Sequence, residues 1–436
     1  MYNIKKINIS KLHGHRDYCI TIKNNKLILV GENGSGKTTI LRMVFYLLSK
    51  QWRKLIDIDF EEISVQIDNT TVKFNKNSFL TELDKLSGYP TRLRSIFLED
   101  KEEFISYMTR HVPDRVMKDI LDNNYTTPIE KALEKLNLSV LYLPTYRRIE
   151  QEHQYIFGDS DPREETSFRA SKYEKRITRS ENFIEQVEFG MNDVSRAIEN
   201  KISSIKEYSR NSLNELSMGY LGDIIDKEYN NLDLSEIKDI DDKKIKNVLD
   251  RIDEKILPKT RKNKIERTIH NVKNSSSQNT EDKVVCYYFI KLLKFNSELE
   301  QKEKELQTFC NVCNSYFYDK EIIYSKDISV DILNKNKKNI TGTSLNKILN
   351  TLSSGEKQVV SIFSKLYLRD TDRKEKFLVL IDEPELSLSV PWQKKLIPDM
   401  EKGNYCGGII AVTHSPFIYD NPSIDSYAHS LEEFKK

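Results

Sequence analysis

Apolar and polar residues alternate over residues 2–10 and 18–23, the period-two pattern of half-buried strands. Lys26-Leu27-Ile28-Leu29-Val30 is a short apolar run that stops at Gly31, as a buried strand feeding a glycine turn does. Beyond Lys37 the period changes, and Ile40, Leu41, Met43, Val44, Leu47 and Leu48 recur at helical spacing. Residues 62–74 predict a further strand pair. Residues 79–136 predict mainly helix, broken at Gly88, Pro90 and Pro113. Val140-Leu141-Tyr142-Leu143-Pro144 returns to strand character.

Between about 150 and 345 glycine is scarce, charge is high and helical patterns dominate. The strongest predicted helices are 180–215 and 282–318, the second carrying the charged run from Ser297 to Leu306. Gly158–Pro162 and Lys273–Asn279 read as loose polar segments. From about 345 the α/β texture resumes, with a helix over 356–369 and buried strands over 377–382 and 407–413. The order predicts an α/β head split by an insertion. Residues 1–150 and 345–436 form the head, and 151–344 form a helical arm with coiled-coil packing. No internal repeat is visible.

Length and composition bound this picture. A chain of 436 residues suggests roughly two to three domains. Charged residues at 31% and hydrophobic residues at 38% suit a soluble chain with long exposed helices. No apolar run reaches about 18 residues, so no membrane partner is expected. Met1–Lys6 lacks the apolar core of a signal peptide, and five unevenly spaced cysteines suggest no disulfide framework. A cytoplasmic location is expected. The net charge of +2 argues against wholesale coating of nucleic acid, which this reading does not require.

Gly31-Glu32-Asn33-Gly34-Ser35-Gly36-Lys37-Thr38 fits the phosphate-loop pattern at every required position, with strand before and helix after. Backbone N–H groups of such a turn point inward at a helix N-terminus and hold a triphosphate. Gly31, Asn33, Gly34, Ser35 and Gly36 are the expected ATP contacts, with Thr38 and Thr39 at the helix start. Lys37 should reach the β- and γ-phosphates, and Thr38 should place its hydroxyl on Mg²⁺. Asp382-Glu383 closes a hydrophobic strand, the place where doubly wound sheets bind ligands. Asp382 is the second expected Mg²⁺ residue. Glu383 should orient and polarise the attacking water. His414, after the strand ending at Thr413, can hydrogen-bond the γ-phosphate.

Leu352-Ser353-Ser354-Gly355-Glu356 resembles the signature of ABC-type ATPases. Ser354 stands in the first glycine position and Glu356 in the glutamine position. Lys357-Gln358 follow as in the SMC/Rad50/RecF branch. This resemblance implies that Ser353 and Gly355 contact the γ-phosphate of a second subunit's nucleotide, so that ATP is sandwiched between two heads. Read from the residues alone, Ser353 is also an ordinary helix N-cap. Glu385-Leu386-Ser387-Leu388-Ser389 occupies the place of the D-loop but lacks its usual Leu-Asp or Leu-His pair. Gln151 is the candidate for the glutamine-loop role, while Arg147 or Arg148 could serve a phosphate instead.

Leu143-Pro144-Thr145-Tyr146-Arg147-Arg148-Ile149-Glu150 is similar to the stretch in phage-defence ATPases of the AriA type from PARIS systems, and more distantly in Septu and OLD-family ATPases. That resemblance implies a homo-oligomeric sensor that holds and releases a separate Toprim-type nuclease effector, AriB-like, on sensing a phage protein. The residues after His414 are too few for a Toprim domain of the chain's own. The alternative is a Rad50/RecF-like DNA-repair or DNA-binding ATPase.

Two further signals point elsewhere. Cys310 and Cys313 have the spacing of a two-cysteine zinc hook, but they lie near the return end of the arm among Phe309, Tyr316 and Phe317, which favours core packing. The basic cluster Lys255, Lys259, Arg261, Lys262, Lys264 and Arg267 has few interleaved aromatics and reads as a solvated face.

Overall fold

The computed structural model describes residues 2–85, 126–136, 138–145, 183–185, 191–232, 235–252, 254, 257–274, 279–325, 327–334, 345–368 and 376–436. The glutamine-loop candidate Gln151, the alternative phosphate contacts Arg147 and Arg148, the segment Gly158–Pro162 and the expected breaks at Gly88, Pro90 and Pro113 lie outside these residues. Among the described residues no helix is long and apolar enough to cross a membrane.

Two compact units emerge. The first comprises Met1–Gly190, Ser353–Ile362 and Thr371–Lys436, and the second Met191–Leu352 and Phe363–Asp370. These units divide at 190 and 352, beside the 150 and 344 expected from the sequence. One physical reason is a short strand, Phe183–Glu185, which pairs with Ser139–Leu143 and extends the sheet of the first unit. The helix expected over 180–215 correspondingly starts at Asn192 and runs on to Ile225.

In chain order the strands are β1 (Ile4–Leu12), β2 (Arg16–Thr21), β3 (Lys26–Val30), β4 (Glu62–Ile67), β5 (Thr70–Asn75), β6 (Ser139–Leu143), β7 (Phe183–Glu185), β8 (Lys320–Ser325), β9 (Ser329–Asn334), β10 (Phe377–Asp382), β11 (Cys406–Thr413) and β12 (Ala428–Ser430). Among the described residues the first unit holds two sheets. One is antiparallel, in the order β2-β1-β4-β5. The other is wholly parallel, in the order β12-β3-β11-β10-β6-β7. Every residue of β6, β10 and β11 is buried, as strands covered on both faces must be. That is why these strands read as unbroken apolar runs, whereas β1 alternates.

The phosphate-loop helix, Lys37–Leu48, packs among these strands through Ile40, Leu41, Met43, Val44, Phe45, Leu47 and Leu48. Phe45 stacks on Tyr142 with ring centroids 4.8 Å apart. Asn25, left-handed at φ 58°, fastens the start of β1 to the parallel sheet. Its Oδ1 accepts from the Ile4 N–H at 2.7 Å, its Nδ2 donates to the Tyr2 carbonyl at 2.7 Å, and its own carbonyl accepts from the Ile409 N–H at 2.8 Å. Gly408 makes room for it, since a Cβ there would stand 2.6 Å from Asn25 Cβ.

The second unit is built on two long helices, Asn192–Ile225 of 34 residues and Thr280–Asn314 of 35 residues. At 1.5 Å per residue each is about 50 Å long. Lys201 pairs with Glu305, Tyr208 with Glu298 and Lys291 with Asp223, so the partner number falls as the residue number rises and the helices run antiparallel. Helices Asp242–Asp250 and Lys259–Asn274 close a core of Ile245, Val248, Leu249, Ile269, Val272, Phe289 and Leu292 against Thr280–Asn314. Glu303 is fully buried and joins Arg251, the Tyr324 hydroxyl at 2.9 Å and Gln307.

Candidate nucleotide site

The sheet register brings three loops to one edge. Val30 lies opposite Thr413, and Val412 opposite Asp382, so β3, β11 and β10 end together on neighbouring strands. The phosphate loop, His414 and Glu383 each follow one of these ends. This is the carboxyl edge of a parallel sheet, where such folds bind ligands.

The loop turns through Gly34 at φ 77° and Gly36 at φ 100°, left-handed values that favour glycine. Lys37 folds back over it. The ammonium donates to the carbonyls of Gly31 at 2.7 Å and Glu32 at 2.8 Å and to Ser35 Oγ at 3.3 Å. Burial pulls its pKa below the usual lysine value, and the carboxylates of Glu383, Asp382 and Glu385 oppose that shift.

Asp382 is buried at the end of β10, and its Oδ1 accepts the Thr38 hydroxyl at 2.8 Å. Burial pushes its carboxyl up to about 6, the Thr38 hydrogen bond works against this, and Glu383 adds to it. The two residues expected to hold Mg²⁺ thus meet, and both offer hard oxygen donors. Their fit to the ion is chemical: a buried carboxylate in a field of further carboxylates gains most from a divalent cation. Thr38 and Asp382 would hold the ion, which supplies charge neutralisation at phosphate oxygens. Among the described residues no group of three or more His, Cys, Asp or Glu side chains could hold a metal by itself. Cys310 and Cys313 are buried and burial raises both thiols, that of Cys310 to about 12, which places them in the core.

Glu383 adopts φ 48°, a strained value for a residue with a side chain, directly after the strand. Its N–H donates to the Val412 carbonyl at 2.8 Å. Its Oε1 lies 3.8 Å from His414 Nε2, both side chains about one-third exposed. A carboxylate and an imidazole at this separation can share one water and one phosphate oxygen.

The signature segment opens the helix Ser354–Tyr367 with a reciprocal cap. The Glu356 N–H donates to Ser353 Oγ at 3.4 Å, and Glu356 Oε2 accepts the Ser353 N–H at 2.7 Å. Ser353 is exposed, while Gly355 is buried against the loop after β10. A Cβ at 355 would stand 2.4 Å from the Ser387 carbonyl oxygen. Gln358 Nε2 donates to the Pro384 carbonyl at 3.3 Å, a second tie between signature helix and loop. Asn33 and Gly34 are exposed, and Thr39 follows Thr38 in the first turn of its helix.

Arg16 and Tyr18 carry no signal in the sequence, and Glu385 is marked there only as part of the D-loop stretch. Arg16 Nη1 donates to the Ser35 carbonyl at 3.2 Å and the Tyr18 hydroxyl to the same oxygen at 3.3 Å, so β2 braces the phosphate loop. Glu385 accepts from Thr413 Oγ1 and from the His414 N–H, each at 2.7 Å. No residue spacing advertises these contacts.

The family described as "AAA domain, putative AbiEii toxin, Type IV TA system" matches residues 27–420. The chain belongs to this family. Comparison with curated proteins finds no match. Among solved structures, the chain is similar to the Smc head domain with an extended coiled coil, bound to the C-terminal domain of ScpA, from Pyrococcus furiosus. Identity is 14%, coverage is 96% of this chain and 91% of that one, and the TM-score is 0.33. It is also similar to the Smc head domain with a coiled coil and joint from Pyrococcus yayanosii, at 13% identity, 96% and 93% coverage and a TM-score of 0.31.

Proposed function

We propose that this family member binds Mg·ATP at the edge formed by β3, β11 and β10 and hydrolyses it to ADP and phosphate. The observation that carries this reading is the Thr38–Asp382 hydrogen bond of 2.8 Å, which joins phosphate loop and acidic strand end across the length of the chain. Lys37 and the N–H groups of Gly31, Asn33, Gly34, Ser35, Gly36, Thr38 and Thr39 bind phosphate. Glu383 takes the proton of the attacking water, and His414 steadies the γ-phosphate. Ser353, exposed at a helix start, is available to a nucleotide carried by a second copy. Gly355 lets that helix start sit against the loop after β10. ATP then works as glue between two heads.

The same reading extends to an intracellular sensor and scaffold of an anti-phage system of the PARIS type, acting with a separately encoded nuclease effector and a phage-encoded trigger. Its support is the sequence resemblance at Leu143–Glu150 and a family description that refers to a toxin–antitoxin system.

Phosphate release by the purified chain, with mass measured alongside, tests the core of this. Wild type should turn over ATP. Glu383→Gln should abolish turnover and accumulate a nucleotide-bound dimer. A Glu383→Gln chain that hydrolyses like wild type refutes the assignment. Co-purification of a nuclease-like neighbour, lost in Lys37→Ala, tests the scaffold role.

A further inference from the structure

We propose that Glu385 is a positioning residue that holds His414 in register with Glu383, acting through the backbone of the loop after β11. This rests on the ATPase reading above.

The imidazole of His414 stands on a turn, so its reach is set by Thr413, Ser415 and its own main chain. All three are tied to one segment. Glu385 uses both carboxylate oxygens: Oε2 accepts the Thr413 hydroxyl and Oε1 accepts the His414 N–H, each at 2.7 Å. Hydrogen bonds to an ionised acceptor are about twice as strong as neutral ones. The Thr413 hydroxyl in turn accepts the Ser415 N–H at 3.0 Å. On the far side, Ser415 Oγ donates to Gln393 Oε1 at 2.6 Å, and Gln393 Nε2 donates to the carbonyls of Glu385 at 3.4 Å and Leu388 at 2.9 Å. Glu383 begins this segment and Glu385 braces it. The same short stretch therefore places the carboxylate and, through Glu385, the imidazole that faces it at 3.8 Å.

The charge makes the arrangement specific. Asp382 and Glu383 already crowd this edge with negative charge, and Glu385 adds to the field on both Asp382 and Lys37. A third carboxylate there is unfavourable by itself. Its two donors offset that cost, and both belong to the histidine turn.

The test compares Glu385→Ala, Glu385→Gln, Thr413→Val, His414→Ala and the Glu385→Ala/His414→Ala double variant in the full-length chain. Glu385→Ala should lower kcat by about 10–100-fold, the effect of misplacing a reacting group by about 1 Å. KM for ATP should change less than kcat, because Lys37 and the phosphate-loop N–H groups that bind the nucleotide are untouched. Glu385→Gln should restore kcat to within about threefold, its carbonyl accepting the His414 N–H and its amide donating to Thr413 Oγ1. The double variant should fall no further than His414→Ala, the non-additivity of residues that act as one. A double variant whose losses multiply, or an Ala variant with wild-type kcat, overturns the proposal.

A second readout needs no turnover. With [13Cε1]-histidine labelling, the resonance absent from His414→Ala identifies that imidazole. It should move in Glu385→Ala and in the near-isosteric Thr413→Val, and stay in place in Glu385→Gln. An unmoved resonance in Thr413→Val overturns the proposal even where the Ala variant does not fold. If wild type releases no phosphate, the ATPase reading fails, and the resonance still decides the role of Glu385.

Discussion

The Thr38 hydroxyl donates to Asp382 Oδ1 at 2.8 Å, linking the first turn of one helix to the last residue of a strand 344 positions later. One edge of the sheet thereby concentrates two oxygen donors beside Lys37. Thr38→Val keeps the volume and removes the hydroxyl. Its Mg²⁺ midpoint for phosphate release should rise by on the order of tenfold or more. Excess EDTA should stop turnover in wild type. Equal Mg²⁺ titrations for the two chains would disprove the shared role.

Asp382 also predicts a pH dependence of stability. Burial raises its carboxyl from 3.8 to about 6, so the folded chain keeps a proton that the unfolded chain releases. The stability this provides is complete below the unfolded value and is lost as pH rises through about 6, in total about 3 kcal/mol. Urea midpoints measured without metal between pH 4.5 and 7.5 should therefore fall in wild type relative to Asp382→Asn. Parallel curves would show that the buried carboxyl is not titrating there.

Gly355 meets the Ser387 carbonyl where a Cβ would stand at 2.4 Å. Gly355→Ala gains helix propensity but must displace backbone, a net loss of about 1–3 kcal/mol by denaturant unfolding. The displaced loop carries Glu383, so turnover should drop as well. A variant as stable and active as wild type would mean the loop yields freely.

The second unit offers an independent check. Glu303 is fully buried against Arg251, Tyr324 and Gln307. Glu303→Ala removes the buried carboxylate that pairs with Arg251, leaving the guanidinium Asn296 Oδ1 at 2.9 Å and Glu300 at 4.0 Å, and should cost up to about 3–5 kcal/mol. Replacing both members, Glu303→Leu with Arg251→Met, should cost much less. Urea denaturation of the single and double variants decides; equal losses would show that packing, not charge, dominates.

What was legible in the sequence follows from range. Val30, Asp382 and Thr413 end apolar runs, and such runs mark strands covered on both faces; their ends then coincide because parallel register leaves little choice. The Ser353-x-x-Glu356 spacing announces a cap that the structure forms. Glu385 was invisible as a brace because its acceptors serve donors 28 and 29 positions away, and no local period encodes them. Arg16 and Tyr18 escaped for the same reason, since only the pairing of β2 with β1 carries them beneath the phosphate loop. The strand Phe183–Glu185 has three residues, too few to show a period, and the helical texture that follows absorbed it.

Lys37 spends its donors on the loop's own carbonyls at Gly31 and Glu32. A nucleotide must therefore win the ammonium away from oxygens that already satisfy it. The ammonium is thus held ready by neutral oxygens, a resting place that a more concentrated negative charge would outbid.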